Sequence, residues 1–217
     1  MNVFDAVLDD RFLLGRGAHR STYSHPDDDS KLIKVVHYKG RERARNRKRF
    51  WSMGRRLDMD GNERELRSIE LLKNAGQYDS RFFPAFFGSI ETNLGPGLVF
   101  EKLGSGHEEQ IYDLKVLEQK KIALELLSKE QILEQYDELI AFFVMTDVPN
   151  VGLGIENLAV LDRPGHSPQL MCFDLKFLED RSLVPAADLF SWVSRRRVKR
   201  LLERAKTKFS VKLGGHS

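Results

Sequence analysis

Leu14-Gly15-Arg16-Gly17-Ala18-His19-Arg20, followed by Leu32-Ile33-Lys34-Val35-Val36, is the stretch that decides how this chain is read. The first run closes an apolar, strand-like segment on two glycines; the second sets one lysine among four aliphatic residues. A glycine turn lets backbone N–H groups approach polyphosphate, and a lysine on a neighbouring strand adds a point charge to the same phosphates. Gly15, Arg16, Gly17, Ala18 and Lys34 therefore point to a nucleotide site. A lysine buried in such a run also needs a partner for its charge.

Outward from this stretch, Arg11 to Gly17, Arg20 to Ser24 and Lys31 to His37 read as three short strands, the last two joined by the turn Pro26-Asp27-Asp28-Asp29. Asn62 can cap a helix whose third residue is Glu65; Leu66, Ile69 and Leu72 recur at helical spacing, and Gly76 stops it. Ala85 to Glu91 and Gly97 to Leu103 add two strands around Asn93-Leu94-Gly95-Pro96. The expected result is a five-stranded antiparallel sheet with one helix.

Beyond Gly104-Ser105-Gly106 the pattern turns helical. Ser128 and Gln131 form a capping box, with Leu127 and Ile132 as its hydrophobic staple. Ile132, Leu133, Tyr136, Leu139, Ile140 and Phe143 make one buried face, ending before Pro149. Leu158 to Leu161 and Gln169 to Phe173 flank the turn-rich 162–168 and read as a hairpin, and a basic helix closes the chain. The fold class is α+β, with residues 1–103 as a sheet-rich lobe and 104–217 as a mainly helical one. No internal repeat is visible.

The 217 residues are 41% hydrophobic, enough to build a core. No run approaches the length of a membrane span, and the acidic start, Met1 to Asp10, has no basic leader region, so the expected location is the cytoplasm. Cys172 is the only cysteine, which excludes an intrachain disulfide framework and a cysteine cluster for metal. The net charge of +3 hides an asymmetry: Lys39 to Arg56 and Arg195 to Lys212 each carry nine basic residues against one glutamate. Such segments attract RNA, an anionic surface or an acidic protein, or are simply solvated helix faces. Few aromatics interleave with them, which weakens the case for base stacking.

This order of elements, with these motifs, resembles the protein kinase-like fold. The block from Leu14 to Asp28, with Ile33-Lys34-Val35-Val36 and Gly88-Ser89-Ile90-Glu91-Thr92, is similar to the bacterial YrbL family, described as PhoP regulatory network proteins. The resemblance implies a bilobal fold in which Gly15 and Gly17 match the first two glycines of a phosphate loop, Arg20 replaces the third, and Lys34 contacts the phosphates of ATP. It implies an ion pair from the first helix to Lys34. Glu65 is the expected partner, although Glu63 and Glu70 carry the same charge and Glu65 also fits a capping box. Phe100, Glu101 and Lys102, within Val99 to Leu103, are placed at the hinge that receives adenine.

Asn150-Val151-Gly152-Leu153-Gly154-Ile155-Glu156-Asn157 takes the place of the catalytic loop. By this resemblance Asn157 and Asp174 hold Mg2+, while Gly152 stands where the general-base aspartate belongs and Gly154 where a lysine belongs. Asp147, just upstream, reads better as a turn residue than as a substitute base. The chain after Asp174 is too short for a full activation segment with peptide-binding helices, which disfavours a protein substrate. General-base catalysis contributes roughly 10²- to 10⁴-fold, so its loss weakens transfer without removing charge stabilisation. The expectation is an ATP- and Mg2+-binding regulatory protein with lost or weak phosphotransferase activity. The alternatives are an active atypical small-molecule kinase and a basic adaptor for RNA or an acidic protein.

Overall fold

A computed structural model of the chain describes residues 5–37, 60–78, 81–146, 153–175 and 191–214, the last segment with backbone only at 191–198 and 201. Two compact units emerge: Met1–Arg67 with Pro84–Gly106, and Ser68–Phe83 with His107–Ser217.

The first unit is a five-stranded antiparallel sheet of β1 (Leu13–Arg16), β2 (Arg20–His25), β3 (Asp28–Val36), β4 (Phe86–Thr92) and β5 (Gly95–Glu101), in the order β1-β2-β3-β5-β4. The expected first strand loses its start to a short 3-10 turn, Asp10–Phe12, which Asp9 caps by accepting the Arg11 N–H. Alternation along β3 separates its side chains. Ile33 and Val35 join Ala6, Leu8, Tyr23 and Val99 in a core on one face, so Lys34, Leu98 and Phe100 point the other way. Gly97 is required in β5, because a Cβ there would lie 2.5 Å from the Ile33 side chain. Asn93 pins the start of the chain to the β4–β5 turn, accepting the Leu8 N–H at 2.7 Å and donating to the Leu8 carbonyl at 3.0 Å.

The helix α1 (Gly61–Asn74) ends as expected, with Gly76 at φ +66° closing it. Its start corrects the sequence reading. Asp60, not Asn62, caps it: the Asp60 carboxylate accepts the N–H groups of Asn62 and Glu63 at 2.9 and 3.0 Å, and Glu63 reaches back to the Asp60 N–H at 2.9 Å. The capping box is thus Asp60/Glu63, two residues earlier than Asn62/Glu65. Glu65 is released from capping and buried.

The second unit holds α2 (Leu117–Leu126), α3 (Lys129–Thr146) and α4 (Ser191–Gly214) with a three-stranded sheet, β6 (Gln110–Asp113), β7 (Leu158–Asp162) and β8 (Gln169–Cys172). The hairpin β7–β8 was expected, whereas β6, which pairs with β7 in antiparallel register, was not. Ser128 and Gln131 cap α3 reciprocally at 2.8 and 3.2 Å, and Ile132, Tyr136, Leu139 and Phe143 make its buried face. Gln135 clips α3 to the hairpin by accepting the Leu170 N–H at 2.6 Å and donating to the Pro168 carbonyl at 3.2 Å. Cys172 is buried. No helix among the described residues is long and apolar enough to cross a membrane.

Candidate functional site

Lys34 is held at the centre of the first sheet, between Thr22 of β2 and Leu98 of β5. Its ammonium lies 2.8 Å from the Glu65 carboxylate and 4.1 Å above the Phe100 ring. The opposite oxygen of Glu65 accepts from the Arg20 guanidinium. All three groups are enclosed, with side chains 10%, 1% and 12% exposed for Lys34, Glu65 and Arg20, so solvent does little to screen them. Burial alone would raise the Glu65 pKa, but the charges of Arg20 and Lys34 and their hydrogen bonds prevail and hold it near about 2. Glu65 is ionised at neutral pH and shared by two cations.

The cap explains how Glu65 reaches this position. With Asp60 and Glu63 satisfying the first turn, Asn62 turns inward and donates to the Lys34 carbonyl at 2.8 Å and the Pro96 carbonyl at 3.4 Å. The first turn of α1 is thereby tied to β3 and β5, and Glu65, one turn on, faces Lys34. Gly61 leaves room for Arg20, since a Cβ there would be 3.0 Å from the Arg20 Cδ. Arg20 is the residue whose role the sequence did not disclose; it read only as a replacement for a phosphate-loop glycine.

The loop Gly15 to Ala18 is exposed. A Cβ on Gly15 would meet nothing within 4 Å, so the backbone is open to approach there. The Gly17 N–H is spent inside the turn on the Arg20 carbonyl at 2.8 Å, and Arg16 pairs with Asp10 at 3.0 Å on the surface. Along the hinge stretch, the N–H groups of Glu101 and Lys102 donate to the Ala85 and Ser30 carbonyls, both at 2.8 Å. The Glu101 carboxylate accepts the Ala85 N–H at 3.0 Å. An adenine edge received here would have to use other backbone groups. Phe100 is buried against Phe86, their ring centroids 5.2 Å apart.

In the second unit, β7 and β8 bring Asn157 and Asp174 to adjacent strand ends. Leu158 pairs with Cys172, and just beyond, the Phe173 N–H donates to the Asn157 carbonyl at 3.1 Å. Asn157 closes the 3-10 turn Ile155–Asn157, and Asp174 is buried. Among the described residues no group of three or more His, Cys, Asp or Glu side chains could hold a metal ion. One carboxylate and one amide oxygen nevertheless suit Mg2+, which keeps several waters and takes its other ligands from phosphate. Gly152, Asp147, residues 176–190 and the basic stretch Lys39 to Arg56 lie outside the described residues.

The family described as PhoP regulatory network protein YrbL matches residues 6–209. The chain belongs to this family. YrbL of Escherichia coli strain K12 and YrbL of Shigella flexneri are each 23% identical to it over 203 residues, covering 91% of this chain and 84% of theirs. Among solved structures, the PknI kinase domain of Mycobacterium tuberculosis aligns over 92% of this chain and 72% of its own with a TM-score of 0.55 at 12% identity. At that identity the likeness establishes the fold, which is protein kinase-like, and nothing about activity. The family and the fold are those that the Leu14–Asp28 block and the element order implied.

Proposed function

We propose that this YrbL-family chain binds ATP with Mg2+ as a regulatory protein whose phosphotransferase activity is weak or lost. The observation that carries the reading is the buried Lys34–Glu65 pair at 2.8 Å. Such a pair is costly to bury, and a lysine held at fixed height over a sheet is suited to polyphosphate. Arg20 adds to it. Because Glu65 also has Arg20, Lys34 can turn toward phosphate without stranding a buried carboxylate.

Asn157 and Asp174 would hold the magnesium, which when bound neutralises phosphate charge. The glycine at 152, where a base would stand, argues for holding nucleotide over using it. The test is thermal unfolding with ATP, with and without Mg2+, on the wild type, Lys34→Ala and Asp174→Ala. At a hundred times the dissociation constant the ligand adds about 2.7 kcal/mol, a rise in Tm of roughly 5–10 °C. Asp174→Ala should lose the Mg2+-dependent part and Lys34→Ala most of the shift. Absence of any shift with millimolar nucleotide refutes the reading. Transfer of labelled terminal phosphate that vanishes in Asp174→Ala would replace it with an active small-molecule kinase.

A further inference from the structure

The second unit carries a groove of about 440 Å³ between α4 and the 3-10 turn before β7, remote in sequence from Lys34 and Glu65. Its floor is apolar, made by Leu153, Ile155, Leu202 and Phe209. Its rim on α4 is a row of cations, Arg204, Lys208 and Lys212, spaced by four residues. All three are exposed. Four residues of helix advance about 6 Å, so the row presents three positive charges over about 12 Å on one side of an apolar trough.

The charges are unequally engaged. Lys212 lies 3.7 Å from Glu156 across the groove, which tempers that end. Among the described residues neither Arg204 nor Lys208 is paired with a carboxylate, whereas Lys206, on another face of the helix, is paired with Asp137 at 2.6 Å. Of these four cations, the two without a carboxylate partner, Arg204 and Lys208, both line the groove.

We propose that this groove is a docking site for an acidic segment of a partner protein, one that seats an apolar side chain on the floor and sets its carboxylates along Arg204 and Lys208. Three features select this occupant. A row extended over about 12 Å does not converge on a single phosphate and instead matches charges distributed along a chain. The apolar floor rewards a hydrophobic anchor, as interface centres do. The groove's aromatic ring, Phe209, is unsuited to a nucleobase, because it is 1% exposed and stacked on Tyr136 with centroids 4.3 Å apart and planes 12° from parallel.

The probe is a short fluorescein-labelled peptide of glutamates around one central phenylalanine, followed by polarisation at low salt on the full chain. Binding should weaken by about tenfold or more in Lys208→Glu, which reverses a rim charge, and in Ala205→Trp, which fills the trough. Arg204→Glu serves as a second charge variant, and unfolding curves verify that each variant is folded. Replacing the peptide's phenylalanine by serine should also cost affinity, and added salt should weaken binding further. Equal binding to wild type and variants, or no loss with the serine peptide, overturns the proposal. So does a single-stranded oligonucleotide of equal charge that binds more tightly and tolerates Ala205→Trp. The measurement uses no nucleotide, so its failure is distinguishable from failure of the nucleotide reading.

Discussion

Glu65 in the first unit and the Arg204–Lys208–Lys212 row in the second concentrate charge in opposite ways. Around Glu65 the charges are buried, paired and fixed by backbone: Asn62 ties the helix to β3 while Arg20 and Lys34 flank the carboxylate. Along α4 they are exposed, and among the described residues only Lys212 of the row has a carboxylate near it, Glu156 at 3.7 Å. The first arrangement sacrifices solvation for geometry and acts through position; the second keeps its water and acts through field and salt. A cluster of the first kind is damaged by losing one member. A row of the second kind tolerates losses one at a time.

The largest effect that would break this contrast is at Glu65. Glu65→Ala leaves two buried cations without their shared anion and should cost about 3–5 kcal/mol in a urea melt. The same carboxylate sets a pH dependence. Its folded pKa of about 2 lies below the ordinary 4.5, so its stabilisation is present above pH 4.5 and is lost as pH falls from there through about 2. A wild-type stability curve should slope across that window more steeply than that of Glu65→Gln; equal slopes would show that the cluster is not held by charge.

A smaller effect sharpens the account of why Glu65 is free to pair. Asp60→Ala removes the cap of α1 and should cost about 1 kcal/mol. Asn62→Ala should leave the cap intact yet loosen the link to β3 and β5, so amide exchange should quicken around Lys34 and Gly97 while the first turn of α1 stays protected. If Asn62→Ala instead frayed that turn as Asp60→Ala does, the cap would be misassigned. Smallest is Lys206→Ala, which breaks an exposed pair with Asp137 and should change stability by less than about 1 kcal/mol, fading with salt. A larger cost would place α4 charge in the same class as Glu65.

Much of this was legible in the residues. The short apolar runs of β3 and β5, the glycine stop of α1 and the reciprocal Ser128/Gln131 cap are local signals, and local signals survive reading. The misassigned cap shows the limit. Asp60 and Asn62 are both good cap residues, each followed three positions later by a glutamate, and only packing decides which of the two turns inward. The strand β6 escaped notice because Gln110-Ile111-Tyr112-Asp113 is short and its partner, β7, lies some fifty residues further along the chain. Arg20 escaped for the same reason: its carboxylate partner is forty-five residues away.

By itself the sequence determined the five-stranded sheet, the helices α1, α3 and α4 and the presence of a lysine that could not be buried alone, because each follows from nearest neighbours and spacing, while the family came from the resemblance carried by the Leu14–Asp28 block. Which carboxylate meets that lysine, and that a second cation shares it, was decided only by the tertiary structure. A buried charge is stabilised by groups within a few ångströms of space, and separation along the chain does not reveal that distance.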